Sequence, residues 1–178
     1  MIDKENIIAL LREVDEQLLR LKQSAPQEII IYGGAALISL GLISRATVDI
    51  DVFAPQIDFA LESAIKNIAK RHLFDERWIN STGKAFVKEL PTGWEGRAST
   101  LFEGKILRVK ILGRVDLIFT KMLAELDRGE DFEDLKSLKP TKKELEKIRQ
   151  PLRSLESSSA WKNKVDEIIK MLNEGDYE

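Results

Sequence analysis

The sequence contains no cysteine, which removes thiol catalysis, disulfides and cysteine-ligated metal centres. It has a single histidine, His72, placed by the surrounding pattern near the end of a helix, where a cation suits the dipole and no catalytic role follows. A charge bias is also missing. The 28 basic and 30 acidic residues leave a formal net charge of −2, so no overall attraction to nucleic acid or to a membrane surface is expected. The uncharged run Ile29 to Ser44 is sixteen residues long and carries a glycine pair, short of the roughly 20 apolar residues a membrane helix needs. The opening Met1-Ile2-Asp3-Lys4-Glu5 is polar and acidic and does not look like a signal peptide, so a cytoplasmic location is expected. There is no internal repeat and no low-complexity tract, only a serine-rich joint at Ser157-Ser158-Ser159.

What is present suits a globular chain. The 178 residues are 43% hydrophobic and 33% charged, enough for one domain or one domain with an appendage. Ile7, Leu11, Val14, Leu18 and Leu21 form one apolar stripe on a helix expected from about Asp3 to Lys22. Ile29 to Tyr32 reads as a strand, Ala35 to Leu40 as a helix stopped at Gly41, and Val48 to Phe53 as a second strand closed by Pro55. Asp58 caps a helix expected to run to about Leu73. Ala85 to Leu90, Ala98 to Phe102 and Ile106 to Leu112 are strand candidates, with Glu103-Gly104 as a turn between the last two. Helices follow over Leu117 to Leu126 (ending at Gly129), Phe132 to Leu138, a third opened by the capping box of Thr141 and Glu144, and Trp161 to Leu172. The order predicts an α+β fold: an N-terminal helix over residues 1–25, an α/β core over 26–113 and a helical part over 114–178.

Asp49 and Asp51 interrupt an otherwise apolar strand. Strand side chains alternate, so the two carboxylates face one way while Val48, Ile50 and Val52 face the core. Paired carboxylates repel each other and resist burial, so a cation is expected in front of them. Mg²⁺ takes oxygen ligands, often one or two protein carboxylates completed by substrate phosphates. Upstream, Gly33-Gly34 between a strand and a helix lets backbone N–H groups approach a phosphate. Either feature alone reads as a turn or a solvated acidic pair, and their conjunction carries the argument.

That conjunction, "GGAALISLGLISRATVDIDVF", resembles the first motif of the nucleotidyltransferase superfamily. The segments "WIN" (Trp78 to Asn80), "LPTGWEGR" (Leu90 to Arg97) and "VDLIFTKMLAELDRGEDFEDLKSLKPTKKEL" (Val115 to Leu145) are similar to the AbiEii-like members of that superfamily. The likeness spans roughly Ile29 to Leu155 and implies a small mixed sheet flanked by helices. It implies metal-dependent transfer of a nucleoside monophosphate from an NTP to an acceptor, which would be RNA, protein or a small molecule, with a toxin–antitoxin partner as a possible context. Gly33 and Gly34 would hold triphosphate, and Asp49 and Asp51 would bind Mg²⁺ or Mn²⁺. Lys121 would contact phosphate or deprotonate the acceptor, with Asp134 or Asp131 positioning it or binding the second substrate.

The superfamily's third metal carboxylate has no clear counterpart. Lys110 stands about where it is expected, and a lysine there would neutralise the aspartate pair. Asp116 and Glu103 are substitutes, with rival readings as a helix-start residue and a turn residue. The alternative is therefore a binding module of the same fold with little or no transferase activity. Arg45 reads equally as a phosphate contact and as a surface residue beyond a helix end. Lys121 reads from the residues alone as a solvated helix lysine or as half of a partly buried Lys–Asp pair. From Lys136 to Arg153 seven basic residues face two acidic ones, a stretch that reads first as a solvated helix face and second as a phosphate-binding surface for RNA. Trp78, Trp94 and Trp161 read as packing residues.

Overall fold

The computed structural model describes residues 1–55, 57–81 and 89–174. Two compact units divide the chain: Met1–Val87 with Arg97–Leu112, and Lys88–Gly96 with Gly113–Glu178. Together they give the expected α+β class.

The first unit opens with α1 (Ile7–Arg20). The helix starts later than its stripe suggests because Asp3 wraps the preceding chain: its Oδ1 accepts the Glu5 and Asn6 N–H groups, each at 2.9 Å. Ile7, Leu11, Val14 and Leu18 are fully buried, whereas Leu21 lies past the last turn and is exposed. Strand β1 (Gln27–Tyr32) is central, flanked by β2 (Ile50–Ala54) in antiparallel and β5 (Leu107–Ile111) in parallel pairing. Covered on both faces, it reads as an unbroken Ile29-Ile30-Ile31 rather than an alternation. The next helix, α2 (Gly33–Ser39), buries Ala35, Ala36, Leu37 and Ile38 in succession. A helix buried all round tolerates no charge, which accounts for the uncharged run.

Asp58 caps α3 (Phe59–His72) by accepting the Leu61 N–H at 2.8 Å, and Leu73 stops it in the left-handed region. His72 closes that helix, with Nε2 3.0 Å from Glu13 of α1. Two residues, Ile79–Asn80, form β3, which pairs in parallel with β2. Strand β4 (Ser99–Glu103) pairs antiparallel with β5, giving the mixed order β3-β2-β1-β5-β4. Glu103 ends β4 and accepts from Arg108 Nε at 3.0 Å, so it is a strand residue and not the expected turn residue. Of the strand expected over Ala85 to Leu90, residues 85–88 lie outside the described residues, and Glu89-Leu90 is a turn.

One buried carboxylate fastens α1 to the β4–β5 turn. Asp15, 5% exposed, accepts the N–H groups of Lys105, Ile106 and Leu107 at 2.9, 2.8 and 2.7 Å. Gly104 permits that approach, since a Cβ there would lie 2.4 Å from the Asp15 carboxyl carbon. Replacing Asp15 by alanine strands three donors and is expected to cost about 2–4 kcal/mol, measurable by urea denaturation. A loss under about 1 kcal/mol would show that water replaces the carboxylate without penalty.

The second unit is helical: α4 (Arg114–Arg128), α5 (Phe132–Leu138), α6 (Lys142–Ser154) and α7 (Ser159–Glu174). Gly129, with φ +74°, caps α4 in the left-handed region that favours glycine. The expected capping box opens α6: Thr141 N–H donates to Glu144 Oε2 at 2.8 Å and Glu144 N–H to Thr141 Oγ1 at 3.2 Å. Leu145, Ile148 and Leu152 of α6 and Val165, Ile168, Ile169 and Leu172 of α7 supply apolar faces. Arg149 Nε lies 2.9 Å from Asp166, and Arg153 also bonds that carboxylate, so two cations of the basic stretch are held by α7. Lys142, Lys143 and Lys147 face solvent. Among the described residues no helix is long and apolar enough to cross a membrane.

Candidate active site

Tyr32, the last residue of β1, is the register partner of Asp51 on β2. At Gly33 the backbone turns to φ +66° and α2 begins. The conformation favours glycine, and a Cβ on Gly33 would fall 2.8 Å from Asp51 Oδ2, so that carboxylate would have to shift. A Cβ on Gly34 would lie at an ordinary 3.5 Å from Thr47 Oγ1. That hydroxyl donates to Asp49 Oδ1 at 3.2 Å. Thr47 itself is braced by a two-bond bridge to the buried Ile2, with N···O distances of 2.7 and 2.8 Å. The glycine pair and the aspartate pair, fifteen or more residues apart in sequence, therefore lie close together, Gly33 beside Asp51 and Gly34 beside the Thr47 that bonds Asp49.

Asp49 and Asp51 line one open cleft of about 450 Å³ together with Val48, Asp75, Arg77, Trp78 and Asn80. Val48 corrects the sequence reading: it is 68% exposed instead of facing the core. Alternation starts only at Ile50, whose N–H bonds the Trp78 carbonyl at 2.6 Å, because Thr47 is tied to Ile2 and the chain bends between them. Asn80 of β3 is the register partner of Asp51 on the side away from Tyr32. Asp75, Arg77 and Asn80 are cleft residues that sequence reasoning did not single out. The signal was the quoted Trp78-Ile79-Asn80, whose two-residue strand is too short to show a period. Arg45 lies in the exposed loop between α2 and β2 and is not among the residues lining the cleft.

Lys110 is engaged elsewhere than expected. Its ammonium bonds Glu28 Oε1 at 3.0 Å, and the neighbouring Arg108 pairs with Glu28 and Glu103. The expected neutralisation of the aspartate pair by Lys110 is replaced by this pairing between adjacent strands. Among the described residues, no group of three or more acidic or histidine side chains is placed to hold a metal. Two carboxylates on an open cleft suit a single hard cation completed by phosphate and water oxygens. Asp116 is completely buried in the first turn of α4.

Lys121 sits in the second unit, inside a buried ionic cluster. Its Nζ lies 2.6 Å from Asp131 Oδ1 and 2.6 Å from Asp134 Oδ2, with its side chain 10% exposed. Arg128 reaches Asp131 Oδ2 at 2.7 Å, and Glu125 Oε2 accepts the Asp131 N–H at 2.7 Å. Burial alone would raise the Asp131 carboxyl, but the Lys121 ammonium and the Arg128 guanidinium outweigh it and hold the group below its ordinary range. A depressed folded-state pKa gives stability that is fully present above the unfolded value, near 3.8, and is lost as pH falls through the folded one. The stability difference between wild type and Asp131→Asn is therefore expected to be constant near neutrality and to shrink below about pH 4. Thermal melts from pH 7 down to pH 3 read it, and a difference independent of pH would contradict the assignment.

A family model described as "Nucleotidyltransferase of unknown function (DUF6036)" matches residues 9–168. The chain belongs to this family of nucleotidyltransferases. No curated protein and no solved structure matches it.

Proposed function

We propose that the protein transfers a nucleoside monophosphate from an NTP to an acceptor in a metal-dependent reaction centred on Asp49 and Asp51. The observation that supports this reading is the close approach of the Asp51 carboxylate to Gly33, which sets the glycine pair and the aspartate pair of the resembled motif side by side at an open cleft. Asp49 and Asp51 would hold one Mg²⁺ or Mn²⁺, and Gly33 and Gly34 would offer backbone N–H groups to the triphosphate. When bound, such an ion polarises the α-phosphate and acidifies the attacking hydroxyl. Thr47, bonded to Asp49, orients that carboxylate. The likeness to AbiEii-like proteins supports a place beside a toxin–antitoxin partner and an acceptor that is RNA, protein or a small molecule. It also supports chemical roles for Lys121 and Asp134, with Arg45 and Asp131 as substrate contacts.

The test is transfer of label from each α-labelled NTP, with Mg²⁺ or Mn²⁺ and cell lysate as the source of acceptors. Wild type is expected to label an acceptor, and the Asp49→Ala/Asp51→Ala double variant is expected to lose at least about a hundredfold in rate. Equal labelling by both removes the reading.

One observation favours a second reading. Asp75 lines the same cleft, yet among the described residues no three acidic or histidine side chains are grouped closely enough to hold a metal, which suits a nucleotide-binding module with weak or absent transfer. That module would bind an NTP with Mg²⁺ and label nothing in the same assay.

A further inference from the structure

The cleft that holds Asp49 and Asp51 is strongly acidic, since Asp75 adds a third carboxylate to its lining. A triphosphate entering it meets like charge, which the paired ion only partly offsets. Arg77 is the one cation among the described residues that line this cleft. Its backbone is fixed. The Arg77 N–H donates to Asp75 Oδ1 at 2.8 Å, and the next residue, Trp78, is wholly buried with its indole N–H on the Ile65 carbonyl at 3.1 Å. The head of the side chain is not fixed. Arg77 is exposed, and among the described residues its guanidinium has no hydrogen bond or ion pair. Elsewhere in the chain Arg108, Arg114, Arg128, Arg149 and Arg153 are each held by a carboxylate. An arginine with an anchored root, a free fork and three carboxylates in the same cleft is poised for a ligand that brings its own anion.

We propose that Arg77 is a phosphate-binding residue of the cleft, taking the triphosphate of the metal-bound nucleotide in bidentate fashion. The inference rests on the nucleotidyl-transfer reading and adds to it the group that recognises the nucleotide's negative charge. The planar fork matches two phosphate oxygens, a geometry a lysine ammonium does not reproduce. The free fork also explains how one cleft accommodates both charges: the carboxylates face the ion and the guanidinium faces the phosphate.

The test is equilibrium binding of Mg²⁺-ATP, -GTP, -CTP and -UTP, and of the four nucleosides, to wild type, Arg77→Ala and Arg77→Lys. Arg77→Ala is expected to weaken the best-bound NTP by about tenfold to a hundredfold. Arg77→Lys is expected to recover part of that loss, while nucleoside binding and the thermal midpoint stay unchanged. Equal NTP affinity in wild type and both variants overturns this proposal and leaves the transfer reading standing. An equal loss for NTP and nucleoside also overturns it, because the residue would then act on the base or on the shape of the cleft. Failure of wild type to bind any NTP overturns both.

Discussion

Lys121→Met is expected to destabilise the protein by about 3–5 kcal/mol, the range for removing one partner of a buried ion pair. The lysine bridges two carboxylates, Asp131 and Asp134, each at 2.6 Å and each about nine-tenths buried. Without it Asp134 loses an ammonium held at 2.6 Å, and Asp131 keeps, among the described residues, the exposed Arg128. Two buried carboxylates that share less positive charge repel each other more strongly, which lowers stability. Asp134→Asn is expected to cost less, about 1–3 kcal/mol, since the ammonium retains Asp131. Denaturant midpoints at pH 7 distinguish the two. A Lys121→Met protein as stable as wild type would contradict the structural role. Loss of transfer in a variant that still folds would instead support the chemical role implied by the family likeness.

The second large effect belongs to Gly33. Alanine there carries a left-handed backbone penalty of about 1–2 kcal/mol. It also carries a steric one, because its Cβ would sit 2.8 Å from Asp51 Oδ2 at a backbone φ of +66°. The side chain that must give way is the proposed metal ligand, so stability and function fall together: a midpoint lower by several degrees, and transfer reduced by about a hundredfold. Gly34→Ala is the matched control. Its Cβ meets Thr47 Oγ1 at 3.5 Å, an ordinary contact, and its backbone is not in the left-handed region. The Gly34 variant is therefore expected to keep its midpoint. A fall in NTP affinity in that stable variant would report close approach of phosphate to the backbone. Equal tolerance at both positions would contradict the packing of Gly33 on Asp51.

Features written in a few neighbouring residues were legible in the sequence. The Thr141–Glu144 box, the Gly129 stop and the limits of α5 depend on local chemistry, and the structure reproduces them. The α1 stripe was legible because burial imposes its period, although its first turn was displaced by the Asp3 wrap. Contacts between distant segments were not legible. Asp15 looks like any polar residue of an amphipathic helix, and only the fold brings the 105–107 backbone onto it. Lys110 was read against the aspartates because strand position gives the face of a side chain and not its partner; Glu28, eighty-two residues away, captures it. Asp75 and Arg77 reach the cleft from the turn before β3, a strand too short to announce itself. The glycine and aspartate pairs were visible as residue types, while their contact through Asp51 and Thr47 required the sheet.

Asp49 and Asp51 are proposed to hold a divalent ion delivered with a nucleotide. Electron paramagnetic resonance of Mn²⁺, titrated with and without each NTP, reads that ion. Wild type is expected to bind about one Mn²⁺ per chain when the favoured NTP is present and to hold it weakly otherwise, since two carboxylates leave most of the coordination to phosphate and water. The Asp49→Ala/Asp51→Ala variant is expected to show only the Mn²⁺–NTP complex in solution. Equal nucleotide-dependent Mn²⁺ binding by wild type and the double variant, or none by either, would contradict the claim.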